Sequence, residues 1–353
     1  MRVIVTGGGT GGHIYPALAI ADKFKEMDPE TEILYVGNEE GIEKDVVPKT
    51  GYPMELVDAR WLDKSSPWQL IKTGARVAKG VLEANRVMRK FKPDVVIGTG
   101  GYVCFPVIIA GKRFGAKTFL HEQNAFPGLA NRTLEKYVNK VFLGFSDAAK
   151  YFKDPSKMVE AGNPVRKSFF SLNKTEARKK LGFPQDDFIV FSFGGSLGAE
   201  KINEVAFELM QVVNGHEKMR MVFGTGKWYY DSIIKKAEER GIVLKDNILI
   251  KDYIDDMENY LAASDLIISR AGALSVAETT VCGRACILIP SPNVTGNHQY
   301  YNAKAVADRG GAILIEEKDL TSEGLIKEVM HLKNNPEIAE KMGRAARACA
   351  PMK

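Results

Sequence analysis

Short apolar runs alternate with helical stretches along the whole chain. In the first half the runs are Val3–Thr6, Ile33–Val36, Met54–Val57, Val95–Ile97, Thr118–Leu120, Lys140–Leu143 and Met158–Glu160. Several are apolar throughout instead of alternating, which is the pattern of strands buried on both faces. Strands of this kind separated by helices predict a parallel sheet covered by helices through right-handed crossovers. The pattern restarts at Phe188–Phe193, continues into a helix from about Glu200 to Val213, and adds runs at Met221–Phe223, Asn247–Ile250, Leu266–Ser269, Ala285–Ile289 and Ala312–Ile315. The expectation is an α/β protein of two Rossmann-like domains, 1–162 and 163–353. A hinge is expected at 161–166, where Gly162 and Pro164 punctuate the chain. Ligands of such sheets bind beyond the carboxyl ends of strands, so two facing sheets predict a cleft between the domains.

Composition narrows the class. The 353 residues suffice for two full cores, and 45% apolar with 26% charged residues is ordinary for a globular chain. No apolar run is long enough to span a bilayer, and no leader-like stretch precedes the strand that begins at Arg2. The four cysteines are scattered, which argues against a disulfide framework; Cys282 and Cys286 lack a second pair at zinc-like spacing and read as packing residues. Between Trp61 and Lys92, eight Lys or Arg stand against Asp63 and Glu83, so this one stretch is +6 and accounts for the whole chain's net charge of +5.

The first strand runs into Thr6-Gly7-Gly8-Gly9-Thr10-Gly11-Gly12-His13, ahead of an apolar helical stretch. Glycines let backbone approach a ligand closely, and a helix N-terminus aims N–H groups at an anion such as a phosphate. His13 adds a group that exchanges a proton near neutral pH. The order is neither a dinucleotide fingerprint, since Gly37-Asn38 and no acid follow the second strand, nor a phosphate-binding loop with Gly-Lys-Ser/Thr. A nicotinamide oxidoreductase is therefore disfavoured.

Other polar or glycine-rich clusters also fall at strand ends. They are Gly98–Tyr102, His121–Asn124, Gly194–Gly198, Ser269–Ser275 running on to Glu278, and Gly296–Gln299. Ser196 suits either a phosphate oxygen or a plain helix cap. Glu278 suits a ribose diol or an exposed helix position; Arg166 suits a phosphate or base, or a solvated hinge. His121 ends an apolar run and reads as a structural histidine, while Asn124 and Gln299 are amides suited to sugar hydroxyls.

Gly8–His13, Gly98–Tyr102, His121–Asn124, Gly162–Arg166, Gly194–Ala199, Tyr253–Met257, Ser269–Glu278, and Gln299 with Asn302-Ala303 come in one order over nearly the whole chain. Together they closely resemble the MurG family, which adds N-acetylglucosamine to lipid-linked muramyl-pentapeptide in bacterial wall synthesis. The resemblance implies a GT-B architecture and a UDP-N-acetylglucosamine donor held mainly by the second domain. It implies that Ile254 meets the uracil through its backbone, Arg166 approaches the nucleotide, Glu278 holds the ribose and Ser196 contacts the diphosphate. Ala273, Leu274, Ser275, Asn124 and Gln299 would line sugar and nucleotide, and Thr10, Gly11, Gly12 and His13 would close over the diphosphate. His298-Gln299 stands where the family often has Gln-Gln. The helix Pro336–Ala348 reads as a shortened form of one that crosses back onto the first domain.

An inverting transfer needs a base on the acceptor and charge stabilisation on the departing UDP, and His13 fits either role. Asp255-Asp256 reads as a helix start, so helix N-termini are expected in place of an essential metal. The implied partners are UDP-N-acetylglucosamine, the polyprenyl-diphosphate-linked acceptor, an anionic membrane surface at the cytoplasmic face and wall-synthesis proteins, with no nucleic acid. In the basic segment Trp68, Ile71, Lys72, Arg76 and Lys79 suit membrane contact, or a surface helix packed on its own domain. A UDP-N-acetylglucosamine 2-epimerase is the alternative activity on the same fold.

Overall fold

A computed structural model describes residues 1–59, 67–195 and 197–351, with side chains for all of these except 67–75. The chain divides into two compact units, Met1–Pro164 and Val165–Lys353.

The first unit carries seven strands: β1 (Arg2–Thr6), β2 (Glu32–Asn38), β3 (Met54–Val57), β4 (Val95–Gly98), β5 (Lys117–Glu122), β6 (Lys140–Leu143) and β7 (Met158–Glu160). They form one sheet in the order β3-β2-β1-β4-β5-β6-β7, and every pairing is parallel. Ile4, Leu34, Val36, Val96 and Leu120 pack into one core. Val3, Val5, Ile33, Tyr35 and Ile97 pack into another. Consecutive residues of β1 thus enter cores on opposite faces, which is why the run has no polar alternation. Each such large side chain contributes about 1.5–3 kcal/mol when fully buried.

The strand order reverses between β1 and β4, and a switch of this kind opens a crevice at the carboxyl ends. Register then decides what meets there. Thr6 lies opposite Gly98, and Gly98 opposite Leu120, so Gly7, Thr99 and His121 form the next row.

The second unit repeats the plan with β8 (Phe188–Phe193), β9 (Met219–Gly224), β10 (Ile248–Lys251), β11 (Leu266–Ser269), β12 (Ala285–Leu288) and β13 (Ile313–Leu314). The order is β10-β9-β8-β11-β12-β13, again with parallel pairings, and the switch falls between β8 and β11. Phe193 is opposite both Gly224 and Ser269, so the turns after β8, β9 and β11 begin level with one another. The helix Pro336–Ala348 packs on the helix Ala273–Cys282 and on β12, inside this unit.

The apolar runs locate the strands, and the structure extends some of them. β5 runs on through His121 and Glu122, because both polar side chains find buried partners and the ladder to β6 continues beneath them. β13 contracts to two residues.

Candidate active site

In the first unit the glycine turn joins β1 to the helix Gly11–Met27. Three contacts shape it from below. The Tyr35 hydroxyl donates to the Gly7 carbonyl at 2.6 Å. The Thr99 hydroxyl donates to the His13 carbonyl at 2.7 Å. The Glu43 carboxylate, fully buried, accepts from the Gly9 N–H at 3.1 Å and from the Asn38 N–H at 2.9 Å. Glycine is required for this packing: a Cβ on Gly7 would lie 2.1 Å from the Thr99 hydroxyl, and one on Gly8 would lie 2.3 Å from Glu43. Thr10 stands at the N-cap with no side-chain cap bond, and no acid occupies the first turn of its helix. That helix end keeps the polarity an anion needs.

His13 lies in this first turn, partly exposed. Its Nδ1 is 3.1 Å from the Thr99 carbonyl and 3.3 Å from Gln123 Oε1. Both partners accept only, so Nδ1 carries the proton and Nε2 is the basic nitrogen. Gly100, at φ 119°, passes so close that a Cβ there would lie 2.6 Å from the His13 ring.

The turn after β5 supplies the other wall. His121 donates through Nε2 to the Gly162 carbonyl at 3.0 Å, and burial holds its pKa below the usual value. It is a structural histidine, as its position at the end of an apolar run suggests. Glu122 is buried and receives Asn131 Nδ2 at 2.8 Å, the Asn124 N–H at 3.0 Å and the Gly128 N–H at 3.1 Å. Burial raises its pKa, and these donors pull it back. Asn124 also gives its amide nitrogen to Glu122 at 3.2 Å, so this residue is held from behind.

In the second unit the turn after β8 is so tight that a Cβ on Gly198 would lie 2.2 Å from the Thr225 carbonyl. Ser196 lies outside the described residues. Gly272 caps the helix Ala273–Cys282, and its first turn, with Ala273, Leu274 and Ser275, holds no acid. Gln299 braces the approach to it: its Oε1 accepts from Ser291 N–H at 2.9 Å and Ala271 N–H at 3.3 Å. A sugar contact from Gln299 would therefore use its amide nitrogen. Asn302 donates to the Ala271 carbonyl at 3.1 Å. Asp256 stands at the N-cap position of the helix Met257–Ala263, without a side-chain cap bond, and pairs with Lys180 at 3.0 Å, in keeping with the helix-start reading.

Arg166 and Glu278 come together here with a residue that the motifs did not flag. Arg166 Nη2 lies 2.9 Å from Glu258 Oε2, and its guanidinium covers the Phe169 ring at 5.1 Å. Glu278 is mostly buried, which pushes its carboxyl up to about 7; Arg166 opposes that shift and Glu258 adds to it. Ile254, partly buried, packs beside Gly224 at the end of β9.

Of the basic segment, residues 60–66 lie outside the described residues, as do the side chains of Trp68, Ile71 and Lys72. The helix Pro67–Phe91 spans the rest. Ala84, Val87 and Met88 face the core, while Leu82 and Arg86 face outward. Lys79 pairs with Asp58 and Glu83, each at 3.4 Å, so its charge is compensated within the unit. Among the described residues no helix is long and apolar enough to cross a membrane.

Two parallel-sheet units, each with an anion-suited helix start at its switch point, are the two Rossmann-like domains of the GT-B architecture. Residues 3–143 match the glycosyltransferase family 28 N-terminal domain and residues 189–351 match the family 28 C-terminal domain. A relative from Alkaliphilus oremlandii named UDP-N-acetylglucosamine–N-acetylmuramyl-(pentapeptide) pyrophosphoryl-undecaprenol N-acetylglucosamine transferase is 42% identical over 98% of this chain and 94% of its own length. One from Bacillus cytotoxicus with the same name is 41% identical over 98% and 94%. The chain belongs to this transferase family, MurG. Among solved structures, that of Acinetobacter baumannii MurG superposes with a TM-score of 0.79 at 25% identity, covering 99% of this chain and 95% of that one. A Listeria monocytogenes structure described as a putative UDP-N-acetylglucosamine 2-epimerase, at 18% identity and TM-score 0.64 over 99% of this chain and 92% of that one, shares the fold.

Sequence reasoning missed Glu43, Gln123 and Glu258. Glu43 packs against Gly37 and Gly41 on one side and the glycine turn on the other, and nothing in the sequence sets it apart from the neighbouring Glu39, Glu40 and Asp45. Gln123 stood inside a flagged motif without a role. Glu258 looked like any helix carboxylate.

Proposed function

We propose that this chain transfers N-acetylglucosamine from UDP-N-acetylglucosamine to the 4-hydroxyl of a lipid-linked N-acetylmuramyl-pentapeptide, inverting the anomeric centre. The observation that carries the mechanism is the double acceptor on His13 Nδ1, which makes Nε2 the proton acceptor at the edge of the sheet. The acceptor oxygen bonds to the anomeric carbon as its proton passes to Nε2. The bond from that carbon to the UDP oxygen breaks, and UDP departs with the electron pair. Helix N-termini beginning at Gly11 and Ala273, with no acid in either first turn, favour the diphosphate charge. Thr10, Gly11 and Gly12 would bring backbone to it, with Ser196 from the second unit. Glu278 would hold the ribose hydroxyls, Arg166 the nucleotide, Ile254 the uracil, and Ala273, Leu274, Ser275, Asn124 and Gln299 the sugar and its surroundings. No metal is assigned to this reaction.

The acceptor is anchored in lipid, so the enzyme works against a bilayer as a peripheral protein, on the cytoplasmic side where the nucleotide sugar is found. Trp68, Ile71, Lys72 and Arg76 are the proposed contacts. Lys79 contributes less, given its pairing with Asp58 and Glu83.

The test is product analysis. Incubation with UDP-N-acetylglucosamine and the lipid-linked acceptor should add one N-acetylhexosamine in β linkage to the acceptor. An unmodified acceptor together with epimerised donor would overturn the reading in favour of an epimerase. His13→Ala should lower turnover roughly 100-fold or more.

A further inference from the structure

We infer that Gln123 is a positioning residue for His13, assigning the proton to one ring nitrogen, and that it is itself oriented by His121 and the linker residues Gly162 and Asn163. The inference deepens the base reading of His13 and rests on it for its catalytic consequence.

The polarity of the chain of contacts is set at its far end. The Gly162 carbonyl can only accept, so His121 Nε2, at 3.0 Å, carries a hydrogen. In the neutral ring His121 Nδ1 is then an acceptor, and Gln123 Nε2 lies 3.0 Å from it. The same amide nitrogen donates to the His121 carbonyl at 3.0 Å. With both hydrogens of the NH2 engaged on one side, Gln123 Oε1 is turned to the other, 3.3 Å from His13 Nδ1. A flipped amide would set Oε1 against two acceptors and NH2 against a ring nitrogen already facing the Thr99 carbonyl at 3.1 Å. Gln123 is 1% exposed, so no water is at hand to relieve such a mismatch. Asn163 Nδ2 fixes the backbone by donating to the Gln123 carbonyl at 2.9 Å, and Asn163 rests on Gly144, where a Cβ would lie 2.5 Å from its amide.

Each contact alone is an ordinary buried hydrogen bond. In series they transmit an orientation from a backbone carbonyl of the linker to Nε2 of His13, the nitrogen that must be unprotonated to accept the acceptor's proton. Thr99 and Gln123 share one N–H, so loss of Gln123 leaves a weaker restraint on ring and tautomer.

The experiment is 15N NMR of the imidazole nitrogens in the intact chain. With only five histidines the spectrum is assignable by single substitutions. In the wild type, neutral His13 is expected as the Nδ1–H tautomer, and His121 as Nε2–H. Gln123→Leu should shift the His13 resonances toward a tautomer mixture and lower kcat roughly 10- to 100-fold, leaving the UDP Kd within about twofold. A wild-type His13 in the Nε2–H form overturns the inference without any variant. An unchanged His13 spectrum in Gln123→Leu overturns it as well. The expected spectra combined with full turnover in His13→Ala would support the Gln123 contact while removing the base reading, so the two failures are distinct.

Discussion

The carboxylate of Glu43 lies beneath the first glycine turn and accepts a hydrogen bond from the Gly9 N–H at 3.1 Å. A fully buried acid thus supports a loop whose outer side is suited to an anion. The arrangement divides the labour of the turn: Gly9 is committed inward, and the helix N-terminus beginning at Gly11 is left for ligand.

Glu43→Ala should remove the charged acceptor shared by the part-buried Gly9 and Asn38 N–H groups. Hydrogen bonds to a charged partner contribute about 1.5–3 kcal/mol each. The first unit should melt roughly 5–10 °C lower by calorimetry, and turnover should fall because the turn loses its shape. A melting temperature within a degree of wild type would mean that water or another donor arrangement replaces the carboxylate.

Gly100→Ala probes the other side of His13. The added methyl meets the ring at 2.6 Å, in a backbone region that L side chains rarely adopt. The ring has to move, and a displacement near 1 Å costs on the order of 100-fold in rate. Steady-state kinetics should show kcat reduced while UDP affinity, proposed to come mainly from the second unit, is largely retained. An equal loss of UDP affinity would contradict that division.

Donor binding should depend on pH through Glu278. Burial raises its carboxyl to about 7 in the free chain, above the ordinary 4.5. The protonated form is therefore favoured in the folded chain below about 7, so the stability this gives is full below about 4.5 and is lost as pH rises from there to about 7. Ribose hydroxyls donate best to the carboxylate, so UDP binding draws Glu278 toward ionisation. The UDP Kd, measured by calorimetry, should rise up to about tenfold per unit as pH falls below 7. Glu258→Gln removes a like charge and should move the midpoint downward, and Glu278→Gln should abolish the dependence. A flat profile in the wild type would exclude Glu278 as the ribose ligand.

Membrane association should come from the basic, tryptophan-bearing helix Pro67–Phe91. Trp68→Ser with Ile71→Ser should weaken binding to anionic vesicles at least tenfold in a flotation assay, and raised salt should weaken it further. Leu82, 61% exposed, lies farther along the helix, and Leu82→Ser should add to the effect. Unchanged flotation would return this helix to plain packing on its own domain.

The fold was legible because its strands are buried on both faces. Val3-Ile4-Val5 can only be a strand between two cores, and the restart at Phe188 announces a second sheet. Boundaries were less legible where polar side chains close a strand: His121 and Glu122 belong to β5 because Gly162, Asn131 and Gly128 come from elsewhere in the chain to meet them. Glycine turns marked the site for the same reason they form it, since a Cβ at Gly7, Gly100 or Gly198 collides with a neighbour. The supporting residues were hidden because their roles depend on long-range partners. Glu43 reaches Gly9 across 34 positions, Gln123 reaches His13 across 110, and Arg166 reaches Glu258 across 92. No local pattern records those distances.

The central claim is transfer to a lipid-linked acceptor, and UDP release tests it most directly. With UDP-N-acetylglucosamine alone, release should be slow. Added lipid-linked muramyl-pentapeptide should accelerate it roughly 100-fold or more in the wild type, and far less in His13→Ala. Release at the same rate with and without the acceptor would contradict the account.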